Sequence, residues 1–177
     1  FSWHTIRPDR ERLYPSFDQS RFMAYNGIVH GARGILYWGT QTIDDPLFRE
    51  SLHALTAELS QLEPFLVGDD HAVEVAVIDD LFDKPGLGVR GLMKRSGGDH
   101  LLILVNEDDH RHLGVDITRL KPLNGRTLHL LCGDEQAEVQ QGGIVTRMQP
   151  YEVKIFCTNV RFETKQTKGR NYIDTGE

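Results

Sequence analysis

The stretch RFMAYNGIVHGARGILYWG, residues 21–39, decides how this chain is read. Phe22, Tyr25, Ile28 and Val29 recur at helical spacing, which predicts a helix with one buried face. Just upstream, Ser16-Phe17-Asp18-Gln19 has the form of a capping box. There the Ser hydroxyl accepts an amide hydrogen of the first turn and the Gln side chain reaches back. Gly31 suits the helix C-terminus, because a left-handed backbone costs glycine little. Ile35-Leu36-Tyr37-Trp38 is a short apolar run between Gly34 and Gly39. Such a run reads as a strand covered on both faces, as in parallel sheets. Helix, glycine turn and buried strand together make half of an α/β unit.

Working outward, residues 1–15 mix aromatic and charged residues with two prolines and read as a loop. On the other side, residues 40–43 form a loop, and Asp44 or Asp45 can cap a second helix. Pro46 falls in its first turn, where a missing amide hydrogen costs little. Phe48, Leu52, Leu55, Leu59 and Leu62 follow at steps of four and three, the clearest amphipathic pattern in the chain. Pro64 is expected to end that helix.

From Val73 the period changes to two. Segments 73–77, 89–94, 100–105, 113–117, 127–132, 137–140, 144–148 and 151–158 read as strands. Turn residues separate them, among them Lys84-Pro85-Gly86, Ser96-Gly97-Gly98-Asp99, Asn124-Gly125 and Gln141-Gly142-Gly143. Short strands at close spacing with no helix between them predict an antiparallel sandwich, two sheets sharing one core. Residues 101–105 are apolar throughout and should form a central strand. Residues 160–177 are polar and read as a tail or linker.

At 177 residues the chain allows one domain, or one domain plus part of another. Its 39% hydrophobic and 26% charged content is that of a soluble globular protein. A formal net charge of −6 argues against a nucleic-acid partner. No stretch is long and apolar enough to cross a membrane as a helix. Cys132 and Cys157 each follow an apolar run. They either pair across a sandwich or stand as two buried thiols, and the thiol reading is preferred because Cys often packs as a small hydrophobe. No cofactor is expected. Gly86-Leu87-Gly88 lacks the strand-to-helix setting of a dinucleotide site. Asn106-Glu107-Asp108-Asp109-His110-Arg111-His112 is rich in oxygen and imidazole groups, but reads as a charged hairpin loop before a metal site, and no metal is expected. Asp69-Asp70-His71 and Asp79-Asp80 read as turns in the same way.

The run at 21–39 also resembles the end of the catalytic barrel in a group of glycoside hydrolases, where the last αβ step of a (β/α)8 barrel precedes a β-sandwich domain. In that resemblance Phe1-Ser2-Trp3 is the tail of the seventh strand and residues 16–31 the seventh helix. Residues 34–39 are the eighth strand and 46–63 the eighth helix. The implied fold class is an α+β fragment, a helix-strand-helix remnant of a (β/α)8 barrel followed by an all-β antiparallel sandwich. The implied domains are 1–66, 67–159 and a tail at 160–177. The chain is then expected to be the C-terminal portion of a larger carbohydrate-active enzyme.

Barrel active sites lie at the C-terminal ends of the strands. The resemblance therefore puts Trp3, His4 and Trp38 at the rim of a sugar cleft, with Gln41 and Asp44 beside them. An aromatic ring there can stack on a pyranose, and an amide or carboxylate can bond its hydroxyls. The plainer readings are that Trp38 is core and that either aspartate caps a helix. Arg21, Tyr25 and Arg33 fall away from that rim and are expected to be structural. Glycosidic hydrolysis generally needs two carboxylates flanking the bond. No Glu or Asp stands at 1–3 or 35–38, so this chain is not expected to be catalytic alone. The expected partners are a carbohydrate and either the remainder of the enzyme or a second copy meeting the strand at 35–38. The rival is a non-catalytic carbohydrate-binding or structural sandwich module. That would need exposed aromatics, whereas Phe82, Tyr151 and Phe156 read as core. The compartment stays open, a secreted or periplasmic parent enzyme being one reading.

Overall fold

A computed structural model describes residues 14–37, 39–79 and 88–162. The first helix, α1 (Phe17–Val29), opens on the expected capping box. The Gln19 amide donates to Ser16 Oγ at 3.2 Å, and the Ser16 amide donates to Gln19 Oε1 at 2.9 Å. The second, α2 (Pro46–Gln61), is capped by Asp45, whose Oδ1 accepts from the amides of Leu47 and Phe48 at 2.8 and 3.2 Å. α2 stops at Gln61, ahead of Pro64 as expected, and a further short helix follows at once. Pro64 sits in the first turn of this α3 (Glu63–Leu66), where its missing amide hydrogen is harmless. No described helix is long and apolar enough to cross a membrane.

Nine described strands follow: β1 (Asp69–His71), β2 (Glu74–Asp79), β3 (Val89–Ser96), β4 (Asp99–Asn106), β5 (Leu113–Thr118), β6 (Thr127–Leu130), β7 (Gln136–Glu138), β8 (Ile144–Met148) and β9 (Val153–Cys157). They form a six-stranded sheet in the order β1-β3-β4-β9-β6-β7 and a three-stranded sheet in the order β2-β5-β8. Every strand pairing is antiparallel, as the alternation and glycine turns predict.

β4 shows how the layers are assembled. Leu102 and Leu104 point into the core between the two sheets, with Leu113, Val115 and Ile117 of β5, Met148 of β8 and Phe156 of β9. Leu101, Ile103 and Val105 point the other way, against Tyr25 and Ile28 of α1, Leu55 of α2, Leu62 and Phe65. A strand covered on both faces has no polar positions to spare, which is why 101–105 is apolar throughout. The molecule is thus a helix layer, a six-stranded sheet and a three-stranded sheet. Each fully buried Leu or Ile in these cores is worth roughly 1.5–3 kcal/mol.

Three expectations are corrected. No strand forms among the described residues of 34–39: residues 32–37 run irregularly, with Ile35 39% and Leu36 89% exposed. A buried parallel strand needs a hydrogen-bonded neighbour on each side, and no described strand lies beside this one. The helix-strand-helix unit is therefore not seen as part of a barrel, and the helices lie on the back of the six-stranded sheet instead. Asp69-Asp70-His71 is a strand, not a turn. Its pairing with β3 is made by the backbone, and its side chains carry no apolar alternation to announce it. Tyr151 belongs to a turn with a left-handed φ of 55°; the residue is 48% exposed and its ring lies edge-on to Phe22 at 4.8 Å.

Candidate functional site

Two of the residues expected at a sugar cleft, Gln41 and Asp44, lie in the turn and loop that lead into α2. Gly39 takes a left-handed φ of 79°, where a side chain would be strained, and opens a 3-10 turn at Thr40–Thr42. Thr42 Oγ1 closes that turn by donating to the Gly39 carbonyl at 2.8 Å. Gln41 lies exposed on it. Below the turn, Ile43, Phe48 and Leu52 form a small apolar cluster with Tyr14 and Tyr37. Tyr14 stacks on Phe48, centroids 4.7 Å apart and planes at 22°. Its hydroxyl donates to Asp44 Oδ1 at 2.6 Å. Burial raises the Tyr37 hydroxyl above its ordinary value, so it stays a neutral donor. Asp45, not Asp44, caps α2.

This rim presents an exposed amide and an exposed carboxylate over a bed of aromatic rings. Groups of these kinds can exchange hydrogen bonds with hydroxyls. Asp45 is engaged by the cap and Asp44 by the Tyr14 hydroxyl. Trp3, His4 and Trp38 lie outside the described residues.

The other residues singled out from the sequence fall elsewhere. Arg33 pairs with Asp70 at 3.2 Å on the surface. Arg21 and Tyr25 meet inside the molecule around Glu58, which the sequence reading passed over as one polar residue in a leucine row. The loop at 106–112 is held by its own hydrogen bonds. Asp108 accepts from the amides of His110 and Arg111 at 2.9 and 2.8 Å and from Arg111 Nε at 2.6 Å. Asn106 Nδ2 donates to the carbonyls of Arg111 and Gln149 at 3.1 and 2.8 Å. Asp108, Asp109 and His110 bring their ligand atoms within 4.8 Å of one another, but the Asp108 carboxylate is already filled by Arg111. Neither Cys132 nor Cys157 is in a disulfide. Burial pushes the Cys157 thiol up to about 11.

No family model and no curated protein matches this sequence. Solved structures match it by fold, and the fold they share with it is that of part of an α-amylase chain. An alpha-amylase from Geobacillus thermoleovorans, GTA, complexed with acarbose, superposes with a TM-score of 0.56 at 14% identity, over 80% of this chain and 33% of that one. An Anoxybacillus alpha-amylase gives 0.52 at 18% identity, over 79% and 32%. An AmyP variant in complex with maltotriose gives 0.52 at 10% identity, over 81% and 35%. At these identities the likeness is one of fold. The present chain spans about a third of the length of the solved structures it matches.

Proposed function

We propose that this chain is the C-terminal part of an amylase-like glycoside hydrolase. In this reading the sandwich supports a (β/α)8 barrel supplied by the rest of the enzyme. Trp3, His4, Trp38, Gln41 and Asp44 line the sugar cleft, and the boundaries fall near residues 66 and 159. The observation that carries it is the fold likeness, which spans about four-fifths of this chain but a third of each amylase chain. Two features of the molecule agree with it. Gln41 and Asp44 share one exposed rim with Tyr14. Ile35 and Leu36, apolar and strand-like in sequence, are exposed with no described strand beside them, as expected of a segment that awaits a neighbour.

The neighbours solved with acarbose and maltotriose support a carbohydrate as the partner of this reading, with an oligosaccharide the first candidate. A stand-alone carbohydrate-binding module is less well supported, because the sandwich offers no described platform of rings. Phe156 is fully buried, and Tyr151 leans its ring on Phe22.

The test has two parts. The reading frame upstream of Phe1 is expected to encode βα units with Glu or Asp at strand ends. The 177-residue chain alone is expected to leave nitrophenyl maltosides and maltotriose intact. Turnover by the chain alone, abolished on replacing one of its own acidic residues, would overturn the proposal.

A further inference from the structure

At one end of the sandwich, the face that fills the core continues into basic residues. Met93 of β3 and Leu102 of β4 are cross-strand partners in the core. Two residues outward on the same face, Arg95 is the partner of His100. On β1, His71 is the partner of Met93. Leu128 of β6 is also in the core, and Arg126, two residues before it, extends that face toward the same end. The two guanidinium groups converge on the β3–β4 turn. Arg95 Nε donates to the Gly97 carbonyl at 2.9 Å and Arg126 Nη1 to the Gly98 carbonyl at 3.0 Å.

Each arginine so engages one of its five N–H donors. Among the described residues neither makes an ion pair. Asp69 stands opposite Arg95 in the register without pairing with it, and Asp99 is taken by Asn159 and Arg161 at 3.2 and 3.1 Å. His71 Nε2 and His100 Nδ1 are shut from solvent with no described hydrogen-bond partner. Unpaired buried polar atoms are uncommon because they cost stability, and an absent ion is one of their ordinary explanations.

We propose that this end of the sandwich is a site for a small oxyanion, a phosphate or sulfate group, held by the guanidinium groups of Arg95 and Arg126 over the imidazoles of His71 and His100. The planar fork of N–H donors matches two oxygens of such a group. Both arginines are exposed and long, so their guanidinium groups are free to re-aim toward a ligand. Burial, and then the charges of Arg126, Arg95 and His71, hold His100 below its ordinary value. A bound anion opposes the charge contribution, so binding and His100 protonation favour each other. The site lies on the sandwich and is independent of the carbohydrate reading.

Titration of the full chain with inorganic sulfate at constant ionic strength, followed by the imidazole proton signals and by calorimetry, tests this. Sulfate keeps its charge across the histidine range. Saturable binding is expected, tighter at about pH 5.5 than at about pH 8, with the His100 titration moved upward. Arg126→Gln should weaken it about tenfold, while Arg126→Lys retains part of the affinity and shows that the fold is intact. Methyl phosphate beside inorganic phosphate separates two sources of the group: binding of both means that an ester enters, binding of the inorganic ion alone means a free anion. Signals that drift without saturating, as they do in chloride, mean an adventitious ion only and overturn the proposal. So does wild-type affinity in both Arg95→Gln and Arg126→Gln.

Discussion

Arg21 of α1 and Glu58 of α2 form an ion pair in the interior, Nε to Oε1 at 2.9 Å, with Glu58 only 3% exposed. The same guanidinium donates through Nη1 to the Val153 carbonyl of β9 at 2.9 Å, and the Tyr25 hydroxyl donates to the Glu58 carboxylate at 2.6 Å. One charged joint thus ties both helices to the six-stranded sheet. Burial is the largest single influence and works against the Arg21 charge, but Glu58, Tyr25 and Cys132 together outweigh it and the guanidinium is raised above its ordinary value. Burial first, then Glu58, raise the Tyr25 hydroxyl well above its ordinary value and keep it a neutral donor. Glu58→Gln leaves a buried cation without its counter-charge and should cost about 3 kcal/mol in urea denaturation. Replacing the whole pair, Arg21→Met with Glu58→Leu, should recover most of that, because the desolvation cost disappears with the charges. A loss below about 1 kcal/mol for Glu58→Gln would mean that the pair does not hold the layers.

Gly91 of β3 sits where the three-stranded sheet begins to cover the six-stranded one. A Cβ there would lie 2.8 Å from Val73 Cγ2, 2.9 Å from Val75 Cγ2 and 3.2 Å from Leu104 Cδ2. Gly91→Val should therefore push β2 off β3 and destabilise by about 1–3 kcal/mol. That corresponds to a fall in Tm of roughly 2–4 °C for each kcal/mol. An unchanged melting curve would show that β2 can shift freely.

The Asp108 loop predicts a pH dependence. Burial would raise this carboxyl, but the His110 amide, the Arg111 guanidinium and the Arg111 amide together hold it below its ordinary value. The folded value is the lower one, so the stabilisation is complete above about pH 4, the unfolded range. It is lost as pH falls through the lower folded value. Asp108→Asn should be less stable than the natural chain at neutral pH, and the difference should shrink on acidification below about pH 4. A difference that stays constant into acid would assign the loss to packing rather than charge.

Cys157 is buried on β9, and at about 11 its thiol yields roughly one thiolate in a thousand at pH 8. A thiol-specific disulfide reagent should fail to modify Cys157 in the native chain and react fully in urea. Rapid native modification at Cys157, mapped by peptide mass, would contradict its burial.

The sequence announced those parts of the fold whose signals are local. Ser16 and Gln19 form the capping box because both halves of it lie within one turn. Residues 101–105 form the doubly covered strand because no polar side chain interrupts them. What could not be read depends on distant partners. β1 exists because β3 offers it an edge, and Asp69-Asp70-His71 carries no apolar pattern of its own. Nothing local marks Glu58 as buried, because its partner Arg21 lies 37 positions away. The run 35–38 reads as a strand because its residues have the right composition, yet composition supplies no neighbouring strand. Gln41 and Asp44 entered the candidate rim only through the resemblance to a barrel end, since their own pattern marks no more than a turn before a helix. Tyr14 was missed, since nothing in residues 1–15 marks one aromatic as the partner of Phe48.

Leu36 provides the last prediction. It is 89% exposed, beside Ile35 at 39%, on a segment fastened nearby by the Arg33–Asp70 pair. Apolar surface left in water forfeits roughly 25 cal/mol per Å², so a partner that covers both side chains gains a few kcal/mol. In the proposed enzyme that partner is the rest of the barrel. Without it, a second copy of the chain is the available cover, and an unpaired strand-like segment is a ready template for pairing. Light scattering is therefore expected to show concentration-dependent association of the chain in the micromolar range. Leu36→Glu should shift it to monomer, but that change also adds to a net charge of −6 and to general repulsion. Leu36→Lys reduces the net charge and should shift it to monomer as well, which separates loss of the apolar contact from repulsion. A natural chain that stays monomeric throughout, with the amides of 35–37 protected from exchange, would mean that the chain covers this segment by itself.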